Sequence, residues 1–240
     1  MLDINKAQKE IATGADFVNY LLEHSIAEHP FFKSGQNTNI GYIYVILENG
    51  RDLDITGFLA RLISIIPNVD IRSKLVPQLY DELGGGDLSK IHVKYIASFL
   101  KALKPFAHTS AEDAAKLEKA YQELGATYKR LFGTQDIYEG IGVAIANEII
   151  VQPIFEYFKA ITGPVMHHLT PEARVWISSH DEVEDHHITD SIDLANMLKP
   201  NSEEIEKAVK GAVELFNGMW IFFNTVAEVK LHQHEGSAHI

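Results

Sequence analysis

Two histidines and a glutamate in His180-Asp-Glu-Val-Glu184-Asp-His-His187 stand at the spacing i, i+4, i+7. At about 100° per residue on a helix, the three fall within roughly 60° of one another. Two imidazoles and a carboxylate on one stripe form a ligand set for a divalent first-row metal. The same face carries Ala173, Trp176, Val183, Ser191, Leu194, Ala195 and Leu198, which marks it as core-facing. Asp181, Glu182, Asp185, His186, Thr189, Asp190 and Asp193 project the other way, towards solvent. A run of this composition is ordinarily a solvated charged face, but the helical projection divides it. Burying its inward half costs several kcal/mol unless partners or a metal compensate.

Three more polar residues pass the same test. Glu82 shares a stripe with Ile71, Leu75 and Leu79, and His92 one with Leu88, Ile96, Phe99 and Leu103. Glu148 sits among Ile141, Ala144, Ile145, Val151 and Phe155 in the most apolar segment of the chain. Any one of them could be a core residue satisfied by a hydrogen bond. Together they place three carboxylates and three imidazoles inward from four helices, too many for mutual hydrogen bonding alone. A pair of divalent ions balances these charges, and a ligand set without thiolate suits iron or manganese better than zinc. Open positions on iron are what dioxygen activation requires.

The elements that must position these residues are helical almost throughout. The periodicity predicts helices over 4–28, 39–47, 55–66, 70–82, 88–103, 110–132, 137–161, 171–198 and 202–231, with a loop over 31–38. Gly50 is a plausible stop, Asp70 a cap, and Gly84-Gly85-Gly86 a break that lets the flanking helices reach one site. Ser110 with Asp113 resembles a capping box. Pro171 occupies a first helical position. Pro153 should kink the long apolar helix. With no linker or repeat, the expectation is an all-α helical bundle of about seven or more helices forming a single domain over residues 1–240.

Composition narrows the function. The chain has 240 residues, 46% of them apolar, and a formal net charge of −12. That charge and the scattered lysines speak against nucleic acid and an anionic membrane face. No stretch reaches roughly 18 uninterrupted apolar residues, so no membrane span is expected. Without cysteine there are no disulfides or thiolate ligands. With no signal-peptide pattern in MLDINKAQKE, a cytoplasmic location is expected. The histidines after Leu231 belong to a frayed end that could bind metal adventitiously.

The chain resembles the haem-oxygenase-like di-iron oxidases, in particular the CADD-like proteins. The likeness rests on Asp81-Glu82-Leu-Gly-Gly-Gly followed by His92, on Glu148 in a long apolar helix, and on His180-x3-Glu184-x2-His187. It departs from the family where Glu184 replaces a frequent aspartate. The resemblance implies a helical bundle around two iron ions (ferrous, with manganese an alternative), dioxygen as co-substrate, and oxidation of a small organic molecule. The oxidised group could also be a side chain of the protein itself. Tyr20 on the first helix is the candidate redox or self-substrate tyrosine, although a core role is the plainer reading; Tyr42, Tyr44 and Tyr95 are no better supported. A homodimer is the assembly considered. The alternatives are a haem-binding protein using His24, a metal-free thiaminase-like or pyrroloquinoline-quinone-synthase-like enzyme, and a non-enzymatic interaction module. The last would use the apolar face of the final helix, with Leu215, Met219, Trp220, Phe222 and Phe223, which otherwise closes the core.

Overall fold

The computed structural model describes residues 1–35, 37–48 and 53–232, and their side chains except those of Val165, His168, Glu172 and residues 179–187. Eleven α-helices occur among the described residues: α1 (Ile4–Glu10), α2 (Gly14–Glu23), α3 (Pro30–Lys33), α4 (Gly41–Glu48), α5 (Ile55–Ile65), α6 (Val69–Glu82), α7 (His92–Leu103), α8 (Ala111–Phe132), α9 (Ile137–Thr162), α10 (Pro171–Asn196) and α11 (Glu203–Glu228). The one β-type pairing described is an isolated bridge between His108 and His232. The all-α expectation holds.

Helix α9 is the axis of the bundle. Its run from Gly140 to Ala146 is buried without interruption, as are Ile149, Ile150, Ile154, Phe155 and Phe158. It is long and apolar enough to cross a membrane, yet 61% of its apolar window is buried within the fold, the behaviour of a core helix. Helix α11 packs on α9 and α8, while α10 joins α9 to α7, α6 and α2. Two glycines set the α9–α11 approach. A Cβ on Gly142 would lie 1.9 Å from the Ala208 carbonyl oxygen, and one on Gly211 would lie 2.4 Å from that of Glu139. Contacts one turn apart on each helix run in opposite order, so the two helices cross antiparallel, backbone against backbone. Leu215, Phe222 and Phe223 are buried, so α11 closes the core.

Several boundaries differ from the sequence-based expectation. The predicted helix over 4–28 is two helices and a 3₁₀ turn (Ile26–Glu28). Thr13 breaks it: its hydroxyl accepts from the Asp16 amide and the Asp16 carboxylate accepts from the Thr13 amide, a capping box inside an otherwise continuous apolar period. Within the expected loop over 31–38, Pro30 starts the short α3, capped by His29, whose Nδ1 accepts from the Phe31 amide. Asn68 rather than Asp70 caps α6. Helix α7 begins at His92, leaving Leu88 in the preceding turn, 74% exposed instead of on the buried stripe. At Ser110 only half of the capping box forms; Asp113 accepts from the Lys230 amide instead. Helix α9 continues through Pro153. Thr170 caps α10 and Ser202 caps α11, which ends at Glu228 and not near Leu231. Gly50 and the tail from 233 lie outside the described residues.

Candidate metal centre

Helix α6 ends in a turn that only glycine makes without strain. Gly84, Gly85 and Gly86 have φ of 89°, 61° and 88°, the left-handed region that disfavours other residues. At Gly84 there is no room either, since a Cβ would stand 2.4 Å from the Asp87 carbonyl oxygen. The turn is closed by the Tyr80 hydroxyl donating to the Gly85 carbonyl (2.5 Å) and by the Ser89 amide and hydroxyl donating to Asp87. Its product is a contact between residues ten apart in sequence: His92 Nδ1 lies 3.0 Å from Glu82 Oε2. Both side chains are partly buried, with 29% and 20% exposure.

Glu148 reaches the same space from α9. Its Oε1 accepts from Gln78 Nε2 and, at 3.4 Å, from Asn147 Nδ2. Gln78 is buried one helical turn before Glu82, so α6 supplies both a carboxylate of the cavity wall and the residue that steadies another, Glu148. Pattern reading missed Gln78, although its signal was present: an amide on the inward stripe of Ile71, Leu75 and Glu82.

Glu82, His92 and Glu148 line one cavity of about 880 Å³. Most of the wall is apolar, with Phe155, Phe158 and Trp176 clustered on one another at ring separations of 4.9–6.0 Å. Phe99 stacks on the indole of Trp176 at 4.8 Å. Leu83 and Val93 line the cavity yet are about half exposed, and so mark its rim.

Helix α10 is helical through positions 180–187, but the side chains of His180, Glu184 and His187 lie outside the described set. Around them the expected inward face is buried: Ala173 and Trp176 before the segment, Ser191, Leu194, Ala195 and Leu198 after it. On the expected outward face, Thr189 and Asp193 are exposed. Among the described residues no group of three or more His, Asp or Glu stands close enough to hold a metal ion. What the described side chains contribute is the Glu82–His92 pair and Glu148. In donor type, two carboxylates and an imidazole suit a hard or borderline cation, and an amide such as that of Gln78 is the kind of outer partner a carboxylate ligand has.

Tyr20 is not among the residues lining the cavity. It is buried in α2, stacked on His24 with ring centroids 4.1 Å apart. His24 is itself tied down, with Nδ1 2.8 Å from the Tyr20 carbonyl oxygen. Tyr95 does line the cavity, and Tyr42 donates to the Val229 carbonyl.

A family model described as iron-containing redox enzyme matches residues 51–217 of the chain. The sequence has no match among curated proteins. The fold is similar to the crystal structure of a CADD-like protein of unknown function from Nostoc punctiforme, with a TM-score of 0.62 and 14% identity. The alignment covers 94% of this chain and 97% of the other. At that identity the likeness is one of fold.

Proposed function

The chain belongs to the family of iron-containing redox enzymes, and from that premise we propose that it is a di-iron oxidase acting with dioxygen on a small organic molecule. Glu82, His92, Glu148, His180, Glu184 and His187 would hold the two iron ions. When bound, the ferrous pair supplies electrons to dioxygen and so the oxidising power of the reaction. The observation that carries this reading is the gathering of Glu82, His92 and Glu148, from three different helices, on one apolar cavity. The helical register of α10 adds positions 180, 184 and 187 to the face whose neighbours are buried.

The remaining work falls to the protein's own side chains. Glu82 holds the imidazole of His92 at the head of α7, where the N-cap residue Ile91 makes no side-chain capping bond. The Gln78 amide fixes the Glu148 carboxylate against rotation. The aromatic wall of Phe155, Phe158 and Trp176 excludes water and offers an apolar body a place to lie. Manganese would satisfy the same ligands.

The test is a metal count. Protein purified without oxygen, loaded with ferrous iron and stripped of loose metal should retain about two irons per chain and change optically on exposure to oxygen. Glu148→Ala and His180→Ala should each lose that iron while remaining folded. Iron retained unchanged in both variants, or no specific iron in the parent, would sink the proposal.

A further inference from the structure

We infer that the cavity contains a second polar anchor, the Tyr128 hydroxyl, which donates a hydrogen bond to a neutral oxygen acceptor (a ketone, ester, amide or ether) on an otherwise apolar substrate. The inference rests on reading the cavity as the substrate chamber.

Tyr128 is 5% exposed on α8 and lines the cavity beside Leu124, Met219 and Phe222. Its hydroxyl donates to the Met219 sulfur at 3.6 Å. A thioether is a weak acceptor. The hydroxyls of Tyr42, Tyr121 and Tyr157 all donate to backbone carbonyls, at 2.9, 2.7 and 2.6 Å. A buried phenol with no oxygen partner leaves part of its desolvation cost uncompensated. Packing does not call for the hydroxyl, because the ring's edge-to-face contact with Phe132 (5.2 Å) would survive in phenylalanine.

The surroundings select the kind of acceptor. Among the described lining residues the only lysine or arginine is Lys90, against Asp54, Asp81, Glu82, Asp87 and Glu148. A free carboxylate bonded to Tyr128 would lie among Leu124, Met219 and Phe222 with no cation beside it, at the opposite end from the proposed iron, whereas a neutral oxygen needs none. Burial pushes the Tyr128 phenol well above its ordinary pKa, so it stays a donor. The anchor belongs to α8 and is bonded to α11, while the proposed iron ligands come from α6, α7, α9 and α10. A substrate bridging the two sets has an apolar body with its acceptor on one side and its oxidised group on the other. A cavity of about 880 Å³ accommodates such a molecule.

The experiment compares 2-acetylnaphthalene with 2-ethylnaphthalene, which differ at the carbonyl, by calorimetric titration of the full chain and of Tyr128→Phe. The parent should favour the ketone by roughly threefold to tenfold, and the variant should lose that preference while binding the hydrocarbon equally well. The carbonyl stretch of the bound ketone should lie at lower frequency in the parent than in Tyr128→Phe. Met219→Leu, which removes the sulfur and keeps the volume, should retain the ketone preference. A ketone preference or carbonyl frequency unaffected by Tyr128→Phe overturns the inference, and so does failure of both ligands to bind. Iron content is scored separately: loss of the iron reading with the preference intact would remove the di-iron proposal and leave the anchor standing.

Discussion

The crossing of α9 and α11 and the turn between α6 and α7 both depend on glycine, for opposite reasons. At the crossing, Gly142 and Gly211 are ordinary helical residues whose missing side chains let two backbones touch. At the turn, Gly84 to Gly86 adopt a left-handed conformation at the partly exposed rim of the cavity. At the crossing Ile141, Val143, Ala208 and Ala212 are fully buried, and it carries none of the proposed chemistry. The turn has exposed Leu83, Leu88 and Val93 nearby and brings Glu82 to His92. The scaffold is close-packed where nothing reacts, and the side chains suited to metal stand where the packing is interrupted. Damage to the first region should appear as lost stability, and damage to the second as lost iron.

Gly142→Ala should have the largest effect on stability. Alanine is the better helix former by about 1 kcal/mol, but its Cβ would meet a backbone oxygen that cannot rotate away. A net loss of about 2–3 kcal/mol is expected, lowering the melting temperature by roughly 5–10 °C. Unchanged melting would show that α11 can slide and would break the distinction between the two regions.

Gly84→Ala should follow. Left-handed strain costs roughly 1–2 kcal/mol, and the new Cβ would press on the Asp87 carbonyl. Retained iron should fall more conspicuously than melting temperature, because the turn holds Glu82 against His92. Gly85→Ala sharpens the comparison: the space there is open, with only a Tyr80 ring carbon at 3.7 Å. It should show the conformational strain alone and keep more iron than Gly84→Ala.

Gln78→Leu should have the smallest effect on folding, within about 1 kcal/mol by chemical denaturation, since leucine fills a similar volume in a buried site. Iron affinity should nevertheless fall by roughly tenfold to a hundredfold, the usual consequence of removing a partner of a carboxylate ligand. Equal affinity in parent and variant would show that Gln78 is not needed to hold Glu148.

Much of the fold was legible because helical period and caps are local signals. Pro171 and Ser110 start helices where expected, and the final helix begins beside the expected position 202. The missed break at Thr13 is also local, but the apolar period runs across it and disguises the cap. Leu88 was misplaced because a periodic pattern extends into a turn as readily as into a helix. In the candidate site, the inward positions of Glu82, His92 and Glu148 could be read from their apolar neighbours. The Gln78 bond to Glu148 and the Tyr128 bond to Met219 could not, because each joins helices 70 and 91 residues apart.

The sequence alone determined the helical class, most helix starts, the acidic charge and the set of side chains proposed to hold iron, because each follows from residue type and spacing along one element. The tertiary structure decided which of those side chains share a cavity, which amide steadies Glu148, and that a buried phenol has sulfur as its acceptor. Such contacts arise from the crossing of helices distant in sequence, and no period within a single helix encodes where two of them meet.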